Sequence, residues 1–364
     1  MTTVRNCKDI IVTAVKTNTT RLTPMLWGPP GIGKTSLVEQ AARELGIGFK
    51  AVIAHLYQPV DVLGFPFLHP ETHRQEYGAP SVFPDAERDG ERGVFFIDEL
   101  PNCVPAMQSA WAIIILERST KHYKFPPGWF MACAGNNATD RAGSSRFISA
   151  LENRVVHYNV TTDLEEFFSY AIARALHPTV MGFLKKFPDF LLKFDPKSPE
   201  RGFPSPRSWE LASDIMKMMP FDPARIDEDA EEAGSITRAR SNLRDTLAGA
   251  LGPGTATEFM SYLKMWKDMP DLEDILSGRA DLKILENRVD LMRAVVMSVM
   301  SWAGGQPDAK RIETALGVAN RMNALKSREY PVFLVQKLWE LAPMMVLTAP
   351  SWKPLAAEYQ KYAK

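Results

Sequence analysis

The sequence predicts an α/β domain built on a five-stranded parallel sheet, followed by an all-helical remainder. Up to residue 160, short apolar runs alternate with helical segments, as expected for strands that helices cover on both faces. After Thr161 apolar residues recur at helical spacing and strand-like runs no longer occur. A glycine-rich stretch at residues 28–35 also stands where a strand should turn into a helix.

The first region begins with a predicted helix at residues 4–18, in which Ile10, Ile11 and Val15 recur at helical spacing. Further helices are predicted at residues 36–45 and 104–118. The five apolar runs that predict strands lie at residues 22–27, 49–54, 94–97, 129–134 and 155–160.

Loops and helix breaks divide the helical remainder of the chain into predicted segments. Helices are predicted at residues 163–175, 178–194, 206–218, 238–250 and 255–267, with an acidic loop at 219–237. The rest is helical, with breaks near Gly304-Gly305 and Pro350. We therefore expect three regions: an α/β core at 1–160, a helical domain at 161–269 and a C-terminal helical region at 270–364.

Composition excludes several classes of protein. Lysine plus arginine equals aspartate plus glutamate at 43 each, so the whole molecule has no general attraction for nucleic acid or membranes. The three cysteines, Cys7, Cys103 and Cys133, are too few for a disulfide framework and indicate a reducing compartment. Because no apolar stretch approaches the roughly 20 residues of a membrane span and no signal peptide is evident, we expect a cytoplasmic protein without a membrane partner.

Residues 28–35 read GPPGIGKT, which matches the phosphate-loop pattern GxxxxGK[ST]. Glycines let several backbone N–H groups point at one anion, and the following helix offers its positive N-terminal end. Lys34 is expected to reach the β- and γ-phosphates, and the Thr35 hydroxyl to ligate Mg²⁺. The residues predicted to bind ATP are Gly28, Pro29, Pro30, Gly31, Ile32, Gly33, Lys34, Thr35 and Ser36. A chance match in a turn is the alternative, but the strand before and the helix after favour the phosphate loop.

The apolar run at 94–97 leads directly into two carboxylates, Asp98 and Glu99. Adjacent strand residues point to opposite sides, so the two can have different roles. Downstream of a phosphate loop, we expect Asp98 to hold Mg²⁺ through water and Glu99 to orient or deprotonate the attacking water. The alternative is a pair of surface acids that caps the helix near Pro105.

The run at 129–134 ends in Gly135-Asn136-Asn137. If this strand lies beside the strand that enters the phosphate loop, an amide at its tip can reach the γ-phosphate or the lytic water. Asn136 is the first candidate and Asn137 the second. Ordinary turn chemistry is an equally good explanation from the residues alone, because Gly-Asn favours turns.

Arginines follow at positions where they could meet a phosphate. Arg141, Arg146 and Arg154 come before the last predicted strand, and an arginine at a subunit edge can neutralise charge at a neighbour's γ-phosphate. Arg207 stands at a helix start behind Ser205 and Pro206. A surface arginine, or capping alone, is the alternative in each case.

In order and spacing, these elements resemble those of the AAA+ ATPases, and within them the MoxR-like branch. The resemblance rests on residues 28–37, 59–66, 93–118, 126–140 with 148–156, and 205–210, and it covers roughly residues 5–215 of the chain. Gly135-Asn136-Asn137 departs from the Asn-Pro common in this branch, and the chain after residue 215 fits no MoxR lid.

The resemblance implies a role for each matched residue. Residues 28–35 would be the Walker A loop, and Asp98 and Glu99 the Walker B pair. Asn136 would be sensor 1, Arg154 the finger that acts on a neighbouring subunit, and Arg207 sensor 2. The helical domain at 161–269 would then be the lid.

The resemblance also implies partners. Such ATPases usually form hexameric rings of identical subunits with ATP and Mg²⁺ at each junction, and MoxR-like members often remodel a protein client alongside a von Willebrand factor A domain protein. Residues 64–80 and 118–127 resemble two hairpins that face the pore or a client. Between them these hairpins carry His69, His73 and the basic-aromatic cluster at 121–124, which is the one local sign of nucleic-acid contact.

Three functions are therefore considered. The leading one is an ATPase that remodels a protein partner. The second is a nucleic-acid motor or loader, which the zero net charge disfavours. The third is a scaffold switched by nucleotide that hydrolyses ATP slowly.

Overall fold

The computed structural model of this 364-residue chain describes every residue except 1, 20, 121–122, 138–146, 220–232, 265, 326 and 363–364. At 233–240, 267, 357–358 and 360–362 it describes the backbone alone. The chain forms two compact units: Met1–Asp163 with Phe194–Ser198, and Leu164–Lys193 with Pro199–Lys364. The division into three regions stays a prediction.

The first unit contains a parallel sheet and a small hairpin. The strands of the described chain are β1 (Thr2–Thr3), β2 (Pro24–Trp27), β3 (Gly48–Ile53), β4 (Pro66–Leu68), β5 (Gln75–Tyr77), β6 (Arg92–Asp98), β7 (Gly128–Gly135) and β8 (Val156–Thr161). Six of them form one sheet in the order β1-β8-β2-β7-β6-β3, and every pairing in it is parallel. The α/β class and the five strands expected from the apolar runs are confirmed.

The sixth strand is one that the sequence did not indicate. Thr2 pairs with Val160, and Thr3 with Thr161, at the edge beside β8. Two residues are too few to show the alternation or apolar run that predicts a strand. The phosphate-loop strand β2 therefore lies inside the sheet, with β7 on one side and β8 on the other.

Helices of the first unit cover the sheet. They are α1 (Val4–Lys16), α2 (Lys34–Glu44), α3 (Pro59–Leu63), α4 (Ala86–Asp89), α5 (Pro105–Glu117) and α6 (Ser149–Glu152). One core cluster packs Trp111 of α5 against Phe95 of β6 and Phe83, all fully buried. Val94, Phe95, Phe96 and Ile97 are inaccessible to solvent, which explains why this strand is apolar on both faces.

The second unit is helical in the described residues. Its helices are α7 (Leu164–Ala173), α8 (Pro178–Lys186), α9 (Pro206–Met218), α10 (Ala233–Leu251), α11 (Pro253–Leu263), α12 (Leu272–Ser277), α13 (Val289–Gly305), α14 (Ala309–Asn323), α15 (Glu329–Leu341), α16 (Pro343–Thr348) and α17 (Trp352–Tyr362). Helix α13 is buried along most of its length and forms the centre of this unit. Among the described residues, none of the helices is both long and apolar enough to cross a bilayer.

Two predicted boundaries were wrong. The helix expected at 178–194 ends at Lys186, because Pro188 disfavours helical geometry at the residue before it. The acidic loop expected at 219–237 is shorter at its end, since α10 already begins at Ala233. Residues 220–232 of that loop lie outside the described residues.

Candidate functional site

The phosphate loop connects β2 to α2 at the carboxyl edge of the sheet. Gly33 adopts a φ of +95° at the start of α2, in the left-handed region that favours glycine. At Gly28 a Cβ atom would lie 2.6 Å from Ile32 Cδ1 and 2.8 Å from the Val160 carbonyl oxygen, so only glycine fits. The Ile32 side chain is buried and anchors the loop. Close packing thus requires glycine at position 28, and the backbone conformation favours glycine at position 33.

The Lys34 side chain turns back into the loop and is 8% exposed. Its Nζ donates hydrogen bonds to the carbonyl oxygens of Gly28 at 2.7 Å and Pro29 at 3.0 Å. A third bond reaches Asn136 Oδ1, also at 3.0 Å. The ammonium group is therefore fixed at the centre of the loop, where a bound phosphate would meet it.

Thr35 and Asp98 meet across the gap between α2 and β6. The Thr35 Oγ1 donates a hydrogen bond to Asp98 Oδ2 at 2.7 Å. The other carboxylate oxygen of Asp98 accepts from the backbone N–H of Glu99 at 2.9 Å. A hydroxyl and a carboxylate in contact supply the oxygen ligands that Mg²⁺ prefers, so this donor set fits the metal that the sequence predicts.

Glu99 leaves the sheet in an unusual conformation. Its φ is +55°, in the left-handed region that non-glycine residues seldom occupy. Its Oε2 lies 3.0 Å from Nδ1 of His55 and accepts from Asn102 Nδ2 at 3.3 Å. Its side chain is 41% exposed, so the carboxylate is held by neighbours and still open to water. Positive φ values at non-glycine residues concentrate at functional sites.

His55 reaches Glu99 because β3 and β6 are neighbours. Ile53 pairs with Asp98 at the ends of these strands, and His55 follows in the turn Ala54–Leu56. Neither His55 nor Asn102 was predicted from the sequence. A polar residue just after the second apolar run was visible in the sequence, but only the strand order places it beside Glu99.

The two asparagines follow β7, which pairs with β2 through Trp27 and Gly135. The adjacency of these strands was the condition for a role of Asn136, and it holds. Asn136 contacts Lys34 through its side-chain oxygen, as described above. Both asparagines are half-buried. The roles of Asn136 and Asn137 stay predictions.

Buried groups of the sheet lie behind the candidate site. Cys133 of β7 is fully buried between Met25 and Ile97 of the adjacent strands. Burial raises the pKa of its thiol, so it stays neutral at physiological pH. Burial also lowers the pKa of Arg118, whose Nη1 donates to the Trp129 carbonyl oxygen at 2.9 Å. These groups support the sheet.

Among the described residues, no contact joins a predicted arginine to the phosphate loop. Arg154 is half-buried after α6, and its backbone N–H donates to the Leu151 carbonyl oxygen. Arg207 is exposed at the second position of α9, in the second unit, where Ser205 caps the helix through the Ser208 N–H. Arg141 and Arg146 lie outside the described residues. The roles predicted for Arg154 and Arg207 stay predictions.

The first expected hairpin is present. Strands β4 and β5 pair antiparallel, with Pro66 opposite Tyr77 and Leu68 opposite Gln75. The backbone N–H of His69 donates to the Arg74 carbonyl oxygen, so His69 and His73 belong to the tip. Phe65 and Leu68 are 70% and 68% exposed. An apolar exposed hairpin is suited to contact with another surface.

The second expected hairpin differs in its chemistry. Ser119 and Lys124 form an antiparallel bridge, but Tyr123 packs inward against Phe83 and Phe125 and donates a hydrogen bond to the Pro84 carbonyl oxygen. Burial raises the pKa of the Tyr123 hydroxyl. The ring is half-buried and packs against the core, which leaves less of it open for stacking on a nucleobase. Lys121 and His122 lie outside the described residues.

Part of the first unit is similar to a known protein family. Residues 24–112 match the model of the AAA family, described as the ATPase family associated with various cellular activities. This segment is therefore similar to the domain that defines this family. It includes the phosphate loop, Asp98 and Glu99, and it spans less than half of the 364 residues. No curated protein matches the chain in sequence.

Solved structures add distant likenesses only. NtrX from Brucella abortus is 15% identical, with 72% of this chain and 68% of that chain covered and a TM-score of 0.35. The RuvB Holliday junction branch migration motor of Thermotoga maritima is 17% identical, with 77% and 75% covered and a TM-score of 0.33. TM-scores this low carry no argument, so the AAA assignment rests on the family model and the phosphate loop.

Proposed function

We propose that this protein is a MoxR-like AAA+ ATPase that hydrolyses ATP with Mg²⁺ in a ring of identical subunits and remodels a protein partner. One observation carries the proposal. Lys34, Thr35, Asp98 and Asn136 are joined in two hydrogen-bonded pairs at the carboxyl edge of adjacent parallel strands. Ligands of open parallel sheets bind at this edge, and the AAA domain supplies the phosphate loop there.

Each group has a chemical role in the proposed reaction. The N–H groups of the phosphate loop and Lys34 hold the phosphates, and Asn136 positions Lys34. Thr35 and Asp98 would hold Mg²⁺, which when bound neutralises charge on the phosphate oxygens. Glu99 takes the proton of the attacking water. Its carboxylate is open to water and its position is fixed by His55 and Asn102.

The ring is proposed because the described residues of the first unit gather no arginine at the phosphate loop. In many phosphoryl-transfer sites an arginine adds to the lysine and the Mg²⁺ in neutralising the charge that develops on the γ-phosphate. Arg154 of a neighbouring subunit is the proposed source, and Arg207 would add a second cation from its helix start. A hexamer is the assembly that the resemblance implies.

The partner is proposed to be a protein, and a von Willebrand factor A domain protein is the candidate that the resemblance implies. Support comes from the hairpin of β4 and β5, whose exposed side chains Phe65, Phe67 and Leu68 are apolar. Nucleic-acid contact would favour cations with free aromatic rings. Tyr123 was the aromatic member of the cluster that indicated such contact, and its half-buried ring packs against the core.

The test is steady-state phosphate release by the purified protein, with and without Mg²⁺, single-stranded DNA and double-stranded DNA at several salt concentrations. The proposal expects Mg²⁺-dependent release of phosphate from ATP that DNA does not stimulate. A stimulation by DNA that disappears with added salt would instead support the nucleic-acid motor.

A further inference from the structure

The second unit contains a groove that the ATPase activity does not use. Two cavities of about 460 and 520 Å³ lie along one face of α13. The first is lined by Val289, Asp290 and Arg293 of this helix, and the second by Arg293, Val296 and Met297. Because these positions recur at helical spacing, they form one stripe, and the cavities meet at Arg293. We call the two cavities together the α13 groove.

Arg293 is a half-buried cation on a helix that is otherwise almost entirely apolar. Among the described residues, none of the carboxylates forms an ion pair with it. Asp290, one turn away, is engaged by Arg288 at 3.1 Å. A half-buried guanidinium without a counter-charge is costly, and an anion bound in the groove would offset that cost.

The walls of the groove add further cations. Lys186 of α8 lines the first cavity, and Lys185 and Arg328 line the second. The carboxylates that line the cavities are Asp290 and Glu329. Lys185 is also paired with Glu165 at 2.9 Å, outside the groove lining. With Lys185 offset by Glu165, three lining cations stand against two carboxylates, so the groove is positive on a protein whose net charge is zero.

The floor and the aromatic side chains indicate that the ligand is also partly apolar. Val289, Val296 and Met297 form an apolar floor, and Tyr262 and Phe333 flank it. Lys185 Nζ stands 4.2 Å from the Phe333 ring centroid, so cation and ring form one surface. The stripe from Val289 to Met297 is about 12 Å long, which accommodates roughly four residues of an extended peptide.

We propose that the α13 groove binds an acidic segment of a protein partner, with carboxylates at Arg293 and Lys186 and apolar side chains on the floor. A nucleic-acid strand fits less well, because Asp290 and Glu329 would face its phosphates. The proposal concerns the second unit alone and does not depend on ATP hydrolysis.

The experiment measures fluorescence anisotropy of a short fluorescein-labelled peptide in which glutamates flank a pair of leucines. The wild-type protein is expected to bind it saturably, and more weakly as salt is added. Replacing the glutamates by glutamine should abolish most of the binding. Arg293→Gln should weaken binding about tenfold, and Lys186→Gln several-fold.

Controls separate recognition from loss of folding. Lys186 and Lys310 are both exposed, and Lys310 lies outside the groove, so Lys310→Gln is the matched control and should bind like wild type. Arg293→Lys keeps the charge and should retain part of the affinity, while thermal unfolding verifies each fold. Absence of saturable binding would overturn the proposal. Binding by both Arg293→Gln and Lys186→Gln that is as tight as binding by wild type would also overturn it. So would tighter binding of labelled oligothymidine than of the acidic peptide.

Discussion

The Thr35 hydroxyl donates a hydrogen bond to the Asp98 carboxylate at 2.7 Å, joining the first turn of α2 to the end of β6. The two residues are 63 positions apart in the chain. The contact joins the phosphate loop to the acidic pair, and it places side by side the two oxygen groups that are proposed to hold Mg²⁺.

Thr35→Val should therefore weaken the use of Mg²⁺. The variant keeps the shape of the side chain but removes the hydroxyl, and loss of such a partner typically costs about 10- to 100-fold in metal affinity or activity. The measurement is ATP turnover as a function of Mg²⁺ concentration. Thr35→Ser should restore most of the wild-type response, and an unchanged response of Thr35→Val would contradict the metal assignment.

The asparagines after β7 can be separated by paired variants. Asn136→Ala removes the oxygen that holds Lys34, so kcat should fall about 10- to 100-fold. Asn137→Ala leaves that contact in place and should have a smaller effect. Turnover and nucleotide affinity of both variants should be measured together. A larger loss of kcat in Asn137→Ala than in Asn136→Ala would show that Asn137, and not Asn136, has the role of sensor 1.

His55→Ala should lower kcat several-fold without changing nucleotide affinity. The Glu99 Oε2 lies 3.0 Å from His55 Nδ1, so loss of the imidazole leaves this carboxylate less firmly oriented toward the attacking water. Leu56→Ala, on the same turn and 68% exposed, is the matched control. An unchanged kcat in His55→Ala would show that His55 is not needed to hold Glu99 in its productive position.

Arg154 can be tested by mixing subunits. Arg154→Ala and Glu99→Gln should each be nearly inactive alone. Mixed rings contain junctions with an intact Glu99 and a neighbour's intact Arg154, so turnover should partly recover. The activity is followed across mixing ratios. Recovery at none of these ratios would exclude a role of Arg154 in trans.

The sequence was informative where chemistry and backbone requirements coincide. Gly28 and Gly33 are fixed by close approach and by positive φ, so the loop could be predicted without a structure. Asp98 and Glu99 were evident because a fully buried strand rarely ends in two acids. These features depend on neighbours in the chain, which is why local patterns reveal them.

Features that depend on the order of the strands in the sheet could not be predicted from the sequence. His55 lies beside Glu99 only because β3 pairs with β6. The sequence of neither strand shows which strand it pairs with or in which register. The ring of Tyr123 packs inward because Phe83, 40 positions earlier, lies against it. The end of α8 was predictable, since Pro188 is visible in the sequence and disfavours helical geometry at the residue before it.

The most direct test of the proposed function is turnover by Glu99→Gln. The substitution keeps size and hydrogen bonding but removes the base, so ATP should bind with unchanged affinity while phosphate release falls at least about 100-fold. Glu91→Gln, just before β6 at the opposite end of that strand and exposed, is the matched control and should match wild type. Unchanged phosphate release by Glu99→Gln would contradict the account.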